Sequence, residues 1–279
     1  MNESMSSQDL HSSPLRARGI IHCHSDLSYD CKVSLPELSR QLRSEGFHFV
    51  ALTEHALGVT RKVYEDFVAR CRDETSDEFV VLPGIEFRCE DGVEIAGAGL
   101  WEFMEGNDAG SVVSQIHAQG GYAIWVHPKK RGYKIDRLLE CDAVEVLNAK
   151  VDGTVAPDFE LLNRVLEARQ TEGRSSPQVI FGLDLHNLDQ LRDVWIECAV
   201  RKLDAQEILA SLGEGRFWSC VPQGRVSANG EMPRITRLRL ELLRWAYLKW
   251  NSGRSRVPAS FRPAIESLSR PFIKSMKRK

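Results

Sequence analysis

The sequence predicts an α/β protein whose mostly parallel sheet is covered by helices. Short apolar runs rich in β-branched residues recur along the chain, and stretches with helical periodicity separate them. About seven repeats of this unit favour a barrel over an open sheet, although spacing alone does not decide between the two. Apolar residues make up 42% of the 279, which is sufficient for a sizeable core.

Seven segments have the composition of strands. They are GIIHCH (19–24), HFVALTEH (48–55), FVVLPGIEF (79–87), VEIAGAGL (93–100), YAIWVHP (122–128), AVEVLNA (143–149) and VIFGLDLH (179–186). A further strand, RDVWIECAV (192–200), is predicted to cover one edge of the sheet.

Four intervening segments have the periodicity of helices. They are SLPELSRQLRSEG (34–46), KVYEDFVARCRDE (62–74), AGSVVSQIHAQGG (109–121) and DFELLNRVLEARQTEG (158–173). In the first of these, Ser34 is a predicted cap with Glu37 three residues later, and Gly46 ends the helix.

Composition divides the chain into three parts. Residues 1–18 are expected to form a disordered leader, residues 19–225 a single domain, and residues 226–279 a basic tail. The apolar runs are too short to span a bilayer, and the polar N-terminus does not resemble a secretory signal. The seven cysteines are scattered without a CxxC pair, as expected in a reducing cytosol. We therefore predict a cytoplasmic protein, with a peripheral membrane location through its tail as the open alternative.

The tail contains a predicted amphipathic helix, ITRLRLELLRWAYLKW (235–250). Its apolar face is predicted to comprise Ile235, Leu238, Leu240, Leu242, Leu243, Trp245, Tyr247 and Trp250. From Glu231 to the end there are thirteen Lys or Arg and three Asp or Glu, although the whole chain has a formal charge of −2. Three interpretations stay open: packing on the acidic body, contact with an anionic membrane surface, and binding of nucleic acid.

Side chains of the kind that bind metals occur at the ends of the predicted strands. They are His22, His24, Glu54, His55, Glu86, His127, Asp184 and His186. In barrels and open α/β sheets, the carboxyl ends of strands converge on one rim, where catalysis takes place. Residues two apart in a strand share a face, so each of the pairs His22–His24 and Asp184–His186 points in one direction. The sequence therefore predicts a cluster of divalent cations.

Five motifs contain these side chains: HCHSDLSYD (22–30), TEH (53–55), GIE (84–86), VHP (126–128) and GLDLH (182–186). Together they resemble the polymerase-and-histidinol-phosphatase (PHP) family, and the resemblance extends over about residues 19–220. The phrases DAVEVLN (142–148) and AQEILASLGEGRFW (205–218) also resemble later segments of this family. The resemblance implies a distorted seven-stranded, TIM-like (β/α) barrel that usually holds three metal ions.

The resemblance also implies which side chains hold the ions. One site takes His22, His24, Glu86 and Asp184; a second takes Asp30, His55 and His186; a third takes Glu86 as a bridge, His127 and the residue at position 94. The family commonly has His at that position, whereas this chain has Glu94. A carboxylate ligand favours manganese or iron over zinc. Alternatively, Glu94 only caps a strand and the third site is weak or empty.

The predicted function is hydrolysis of a phosphomonoester or phosphodiester by a water that the ions activate. Asp184 or His186 is the candidate proton relay. The candidate contacts to the phosphorylated substrate are Arg88, Lys129, Lys130, Arg131, Asn148 and Arg225. Two alternatives are a nuclease or nucleotide phosphatase recruited through the basic tail, and a non-catalytic PHP-like binding module. A metal-dependent amidohydrolase shares the HxH pair but usually lacks the later motifs.

Overall fold

The architecture is that of a computed structural model, which describes residues 14–90, 92–128, 141–152, 156–172, 177–191 and 193–254. The strands are β1 (Leu15–Cys23), β2 (Phe49–Leu52), β3 (Glu54–His55), β4 (Val80–Leu82), β5 (Gly84–Arg88), β6 (Glu94–Ala98), β7 (Tyr122–Val126), β8 (Ala143–Asn148), β9 (Gln178–Gly182), β10 (Trp195–Val200), β11 (Phe217–Val221) and β12 (Gly224–Ser227). The helices are α1 (Leu35–Ser44), α2 (Arg61–Glu74), α3 (Ala109–Ala118), α4 (Ala149–Asp152), α5 (Phe159–Glu172), α6 (Ala205–Gly213) and α7 (Arg234–Arg254). The predicted α/β class is confirmed, but the prediction of a mostly parallel sheet is wrong, because the described strands form five parallel and five antiparallel pairs.

The strands form two six-stranded sheets, ordered β12-β11-β10-β1-β2-β4 and β3-β5-β6-β7-β8-β9. Two predicted strands are divided between the sheets, because the chain leaves the first sheet at Thr53 and again at Pro83. The sheets also meet beside β1, where the backbone N–H of His24 donates to the carbonyl of Leu185 at 3.0 Å. The carboxyl ends of β1, β3 and β9 are thereby held close together.

One predicted strand runs against the expected parallel direction. β6 pairs antiparallel with both β5 and β7, whereas β1 with β2, β2 with β4, and β7 with β8 are parallel pairs. The connection between Arg88 and Glu94 is too short for the crossover that a parallel pair needs. β5 and β6 therefore pair as an antiparallel hairpin.

The predicted strand 192–200 corresponds to β10, but it is an inner strand and does not form the edge, because β11 and β12 lie beyond it. β10 pairs antiparallel with β1 from Leu15 to Gly19, so β1 begins inside the segment predicted as a disordered leader. Pairing with β10 stabilises these residues as a strand, which their own polar sequence does not predict. β12 likewise crosses the predicted domain boundary at residue 225.

The tail helix packs against the body through one narrow face. Leu240 of α7 is fully buried, and the Arg244 guanidinium donates to Asp158 Oδ2 at 3.1 Å. The predicted single apolar face is wrong, because Leu238 and Leu242 point to solvent on the opposite side. Within the described ranges, no helix combines the length and apolarity that a bilayer crossing requires.

Candidate metal centre

The nine side chains predicted as metal ligands lie together. Seven of them line a cavity of about 630 Å³: Asp30, His55, Glu86, Glu94, His127, Asp184 and His186. His22 and His24 are fully buried beside these residues. The nine side chains come from β1, β3, β5, β6 and the segments that follow β1, β7 and β9, so distant parts of the chain converge at one place.

Glu86 is at the centre of the cluster. Its Oε2 lies 3.2 Å from His55 Nδ1, 3.4 Å from His24 Nε2 and 3.6 Å from His22 Nε2. Its Oε1 lies 3.3 Å from His127 Nε2. One carboxylate therefore lies beside at least one histidine of each predicted ion site, which is the geometry expected of a bridging residue.

Asp184 completes the first predicted group from the opposite side. Its Oδ1 lies 3.6 Å from His24 Nε2 and 3.8 Å from His22 Nε2. These separations are too long for hydrogen bonds between the side chains. They are the separations expected between atoms that surround a common cation, as are those of Glu86.

The second and third predicted groups also assemble. Asp30 places Oδ1 3.3 Å from His55 Nε2 and Oδ2 3.2 Å from His186 Nε2. Glu94 is the outermost member of the third group, with Oε2 4.0 Å from His127 Nε2. Its half-buried carboxylate remains close enough to Glu86 and His127 for all three to offer an atom to one ion.

Three buried atoms at the centre lack hydrogen-bond partners. They are His22 Nε2, His24 Nε2 and Glu86 Oε2. A buried polar atom without a partner costs about 1–3 kcal/mol, so three of them at one point require a physical cause. Imidazole nitrogens and a carboxylate oxygen are suitable ligands for a divalent transition metal. The residues present therefore fit a metal ion.

The backbone is strained at the same place. Among the described residues, the non-glycine residues with positive φ are His22 (63°), His127 (52°) and Asp184 (52°). Such conformations cost of order 1–3 kcal/mol each and persist where the surrounding structure fixes them, often at functional sites. All three belong to the cluster.

Glu145, which the sequence analysis did not single out, supports His22 from behind. Its buried Oε1 accepts a hydrogen bond from His22 Nδ1 at 2.6 Å, which leaves Nε2 free to face the cluster. Its Oε2 accepts from the backbone N–H of His127 at 3.1 Å. The available signal was an acidic residue within the apolar run AVEVLN, where it requires a buried partner.

A second relay orients His24. Ser28 Oγ donates to Glu54 Oε2 at 2.5 Å, and its oxygen lies 3.1 Å from His24 Nδ1. The Ser28 hydroxyl donates its only proton to Glu54, so it must accept the hydrogen bond from His24 Nδ1. His24 therefore carries its proton on Nδ1, and its Nε2 has a lone pair that faces the cluster. Glu54 is thus a supporting residue behind the cluster. Its position at a strand end is equally consistent with binding a metal, so the sequence alone does not reveal the supporting role.

Electrostatics within the cluster favour ionised carboxylates beside imidazoles. Burial raises the pKa of Glu86, but the neighbouring imidazoles of His127 and His22 outweigh it and hold that pKa well below the ordinary value. Burial, followed by the charge of His22, lowers the pKa of His24 well below its usual range. Burial also opposes charge on His22, yet Glu145 and Asp184 raise its pKa. A proton and a metal ion are thus alternative ways of balancing these carboxylates.

The predicted substrate contacts are only partly brought together. Arg88 is exposed and lines the cavity. Asn148 is buried behind the cluster, where its Nδ2 donates to Glu145 Oε2 at 3.0 Å. Arg225 is not brought to the cavity: its guanidinium stacks on Trp218, 5.1 Å from the ring centroid. Lys129, Lys130 and Arg131 lie outside the described residues.

Two further cavity residues were missed by sequence reasoning. Lys150 Nζ lies 2.9 Å from His186 Nδ1 and 3.4 Å from Asp184 Oδ1. Tyr29 is 71% exposed and stacks on the His55 ring at 5.1 Å. Lys150 lies two residues after β8 ends at Asn148, so its position after a strand was the signal.

Comparison with solved structures identifies the fold. A two-domain protein of Bacteroides vulgatus that contains a predicted PHP-like metal-dependent phosphoesterase matches with a TM-score of 0.58 and 15% identity, over 77% of this chain and 67% of that one. PsfC of Pseudomonas syringae matches with a TM-score of 0.52 and 13% identity, over 83% of this chain and 97% of that one. The chain has a PHP-type fold. No family model and no curated protein matches the sequence, so the PHP-type fold is established by structural similarity.

Proposed function

We propose that this chain is a metal-dependent phosphoesterase that hydrolyses a phosphomonoester or phosphodiester. One observation carries the proposal: His22 Nε2, His24 Nε2 and Glu86 Oε2 are buried, lack hydrogen-bond partners and face a common point. A PHP-type fold with a cavity opening beside this point supports the same function. In the proposal, the two sheets form the distorted seven-stranded barrel of that fold.

The proposed metal centre holds two or three divalent ions. The first site comprises His22, His24, Glu86 and Asp184; the second comprises Asp30, His55 and His186; the third comprises Glu86, Glu94 and His127. Glu94 favours manganese or iron over zinc at the third site. When bound, such ions polarise phosphoryl oxygens and lower the pKa of a water so that it can attack near neutral pH.

Two cationic side chains of the chain are proposed to bind the substrate. Arg88 and Lys150 line the cavity on which the metal ligands converge, and both can donate charge-assisted hydrogen bonds to phosphoryl oxygens. His186 and Asp184, adjacent to Lys150, are the proposed groups for holding or moving a proton. In this assignment Asn148 orients neighbouring side chains and does not bind substrate directly.

Two other functions remain to be tested against this one. A nuclease or nucleotide phosphatase uses the same metal centre and differs only in its substrate. A non-catalytic binding module is less well supported, because the described structure retains an acidic or imidazole side chain at all nine ligand positions. We also propose a cytoplasmic location, since the seven cysteines are free and buried.

The test combines metal analysis with activity. The purified protein is analysed for manganese, iron and zinc, and then assayed on a phosphomonoester, a phosphodiester and a short oligonucleotide with each metal added. We expect metal-dependent hydrolysis, and a loss of at least about 100-fold when His22→Ala and His24→Ala are combined.

His117→Ala is the matched control, because His117 pairs with Asp142 on the surface of α3 and contacts none of the cluster. Full activity in the double variant would refute the metal mechanism. Metal binding without hydrolysis of any substrate would instead favour the binding module, and a preference for the oligonucleotide would favour the nuclease.

A further inference from the structure

The outward face of α7 presents an apolar stripe, and Glu241, which pairs with Arg237 at 2.8 Å, lies among its side chains. The stripe consists of five side chains that are each 52–61% exposed: Ile235, Leu238, Leu242, Trp245 and Leu248. Their spacing of three and four residues places them along one side of the helix for nearly four turns. Exposed apolar surface of this kind generally marks an interaction site.

The stripe is not a misplaced core face, because the opposite side of α7 is already attached to the body. Leu240 is fully buried and Thr236 is nearly so. Arg244 donates to Asp158 Oδ2 and to the carbonyl of Ala156, both at 3.1 Å. Rotating the helix to bury the stripe would break these contacts and expose Leu240.

Exposed cations border the stripe. Arg234 and Arg239 flank its first two turns, and Lys249 lies one turn beyond Trp245 on the same side. The chain after Arg254 contains seven Lys or Arg and a single Glu. Large apolar side chains with a tryptophan, bordered by basic residues, have the composition of a helix that lies in a membrane interface.

We propose that α7 docks the protein onto an anionic lipid surface, with the stripe at the boundary of headgroups and acyl chains. The flanking cations would then face lipid phosphates and strengthen attachment. A second copy of the chain fits less well, since a symmetric pairing of stripes brings the cations Arg234, Arg239 and Lys249 of one copy close to the cations of the other. Nucleic acid would use the cations but leave the apolar stripe without a partner.

The full chain is tested by co-sedimentation with vesicles of phosphatidylcholine alone and with about 30% phosphatidylglycerol added. We expect binding to the anionic vesicles that weakens as salt is raised. The combined variant Leu238→Gln, Leu242→Gln and Trp245→Gln should bind at least about tenfold more weakly. Its matched control is Leu15→Gln with Val63→Gln, two exposed apolar residues on other elements, which should bind like the parent.

A charge variant tests the cations separately. Arg234→Gln, Arg239→Gln and Lys249→Gln together should weaken binding by about fivefold for each charge removed, provided the vesicles are anionic. Its control is Arg40→Gln, Lys62→Gln and Lys202→Gln, which removes the same charge from exposed positions elsewhere. All variants alter exposed side chains, and circular dichroism verifies that they are folded.

Equal sedimentation of the parent and the stripe variant would overturn the proposal. The proposal would also be overturned if the parent protein failed to bind vesicles. A dimer that the stripe variant disrupts would then identify a second copy as the partner, and binding of an oligonucleotide would identify nucleic acid. Phosphoesterase activity is not the readout, so this outcome is independent of whether the proposed reaction is correct.

Discussion

Gly182 lies directly against the buried carboxylate of Glu145, so closely that a Cβ atom at position 182 would overlap Glu145 Oε1 and press on His22 Cβ. A glycine is thus required at the end of β9 to make room for the residue that orients His22. A larger residue at position 182 is excluded by lack of space, because three hydrogen bonds hold the Glu145 carboxylate in place and prevent it from moving away.

Gly182→Ala should therefore disturb the metal centre without altering any proposed ligand. Overpacking of a filled interior typically costs about 1–3 kcal/mol, and we expect a decrease of that size in the free energy of unfolding. Metal affinity should fall with it, as measured by titration of the metal-free protein. Gly213→Ala is the control, because nothing lies within 4 Å of a Cβ there. A Gly182→Ala protein that equals the control in both measurements would contradict this explanation.

Glu145→Gln tests the carboxylate itself. The amide is nearly the same size and can still accept from His22 Nδ1, but the negative charge is lost. Replacing a group that orients a metal-binding histidine commonly reduces metal affinity by about 10–100-fold, and we expect a reduction in that range. Calorimetric titration with manganese measures it, beside Glu37→Gln, which removes one exposed carboxylate from α1. Unchanged affinity would assign Glu145 a purely structural role.

Lys150→Met separates substrate binding from metal binding. Methionine keeps much of the aliphatic chain but removes a cation that lies 3.4 Å from Asp184 Oδ1. We expect metal affinity to be retained or improved, because one competing positive charge is gone. The catalytic efficiency should fall by about 10–100-fold through loss of a charge-assisted contact to phosphate. Lys202→Met, at a 71% exposed position, is the control; parallel losses of metal and activity at position 150 would argue against a substrate role.

Much of the candidate site could be predicted because its residues obey a local rule. His22, His55 and Glu86 occur at or near the ends of predicted apolar strands, and the convergence of such strand ends can be predicted without any knowledge of side-chain packing. Glu145 and Ser28 could not be assigned in this way, since their roles depend on which atoms lie behind His22 and His24. That information arises only when separate strands are assembled.

The fold was predicted best where a segment has a single favourable environment. The helix 62–74 became α2 almost residue for residue, and its cap Thr60 accepts from Val63 as a local motif should. β1 was predicted four residues too short, because Leu15–Arg18 depends on pairing with β10 across the sheet. The face of α7 was misassigned for a related reason: apolar residues lie on both sides of the helix, and periodicity does not say which side meets the body.

Arg244→Ala should destabilise the protein through the attachment of α7. The guanidinium is 14% exposed, and it pairs with Asp158, whose Oδ1 accepts from the backbone N–H groups of Glu160 and Leu161 at the start of α5. Removing one partner of a buried charge pair costs about 2–5 kcal/mol, and urea unfolding should show a decrease in that range. Lys62→Ala breaks the exposed pair with Asp66 and should change stability by less than about 1 kcal/mol. Equal effects of the two substitutions would show that α7 is not held by this contact.

The free cysteines predict how stability depends on alkaline pH. Burial raises the pKa of Cys198 and of Cys220 to about 12. In the unfolded chain a thiol titrates near pH ~8.5, so above that pH the unfolded state loses protons that the folded state retains. The free energy of unfolding should therefore decrease as pH rises from about 9 toward 12, by up to about 1.4 kcal/mol per pH unit for each thiol.

Urea unfolding at a series of pH values measures this slope, and Cys198→Ala should reduce it because one titrating thiol is removed. Thiol reagents at pH ~8 should label the native protein slowly, since the protonated thiol is a poor nucleophile and these sulfurs are buried. All seven cysteines should react once the protein is unfolded. Rapid labelling of Cys198 in the native state, or an alkaline slope that Cys198→Ala leaves unchanged, would mean that this thiol is more accessible and more acidic than its surroundings in β10 indicate.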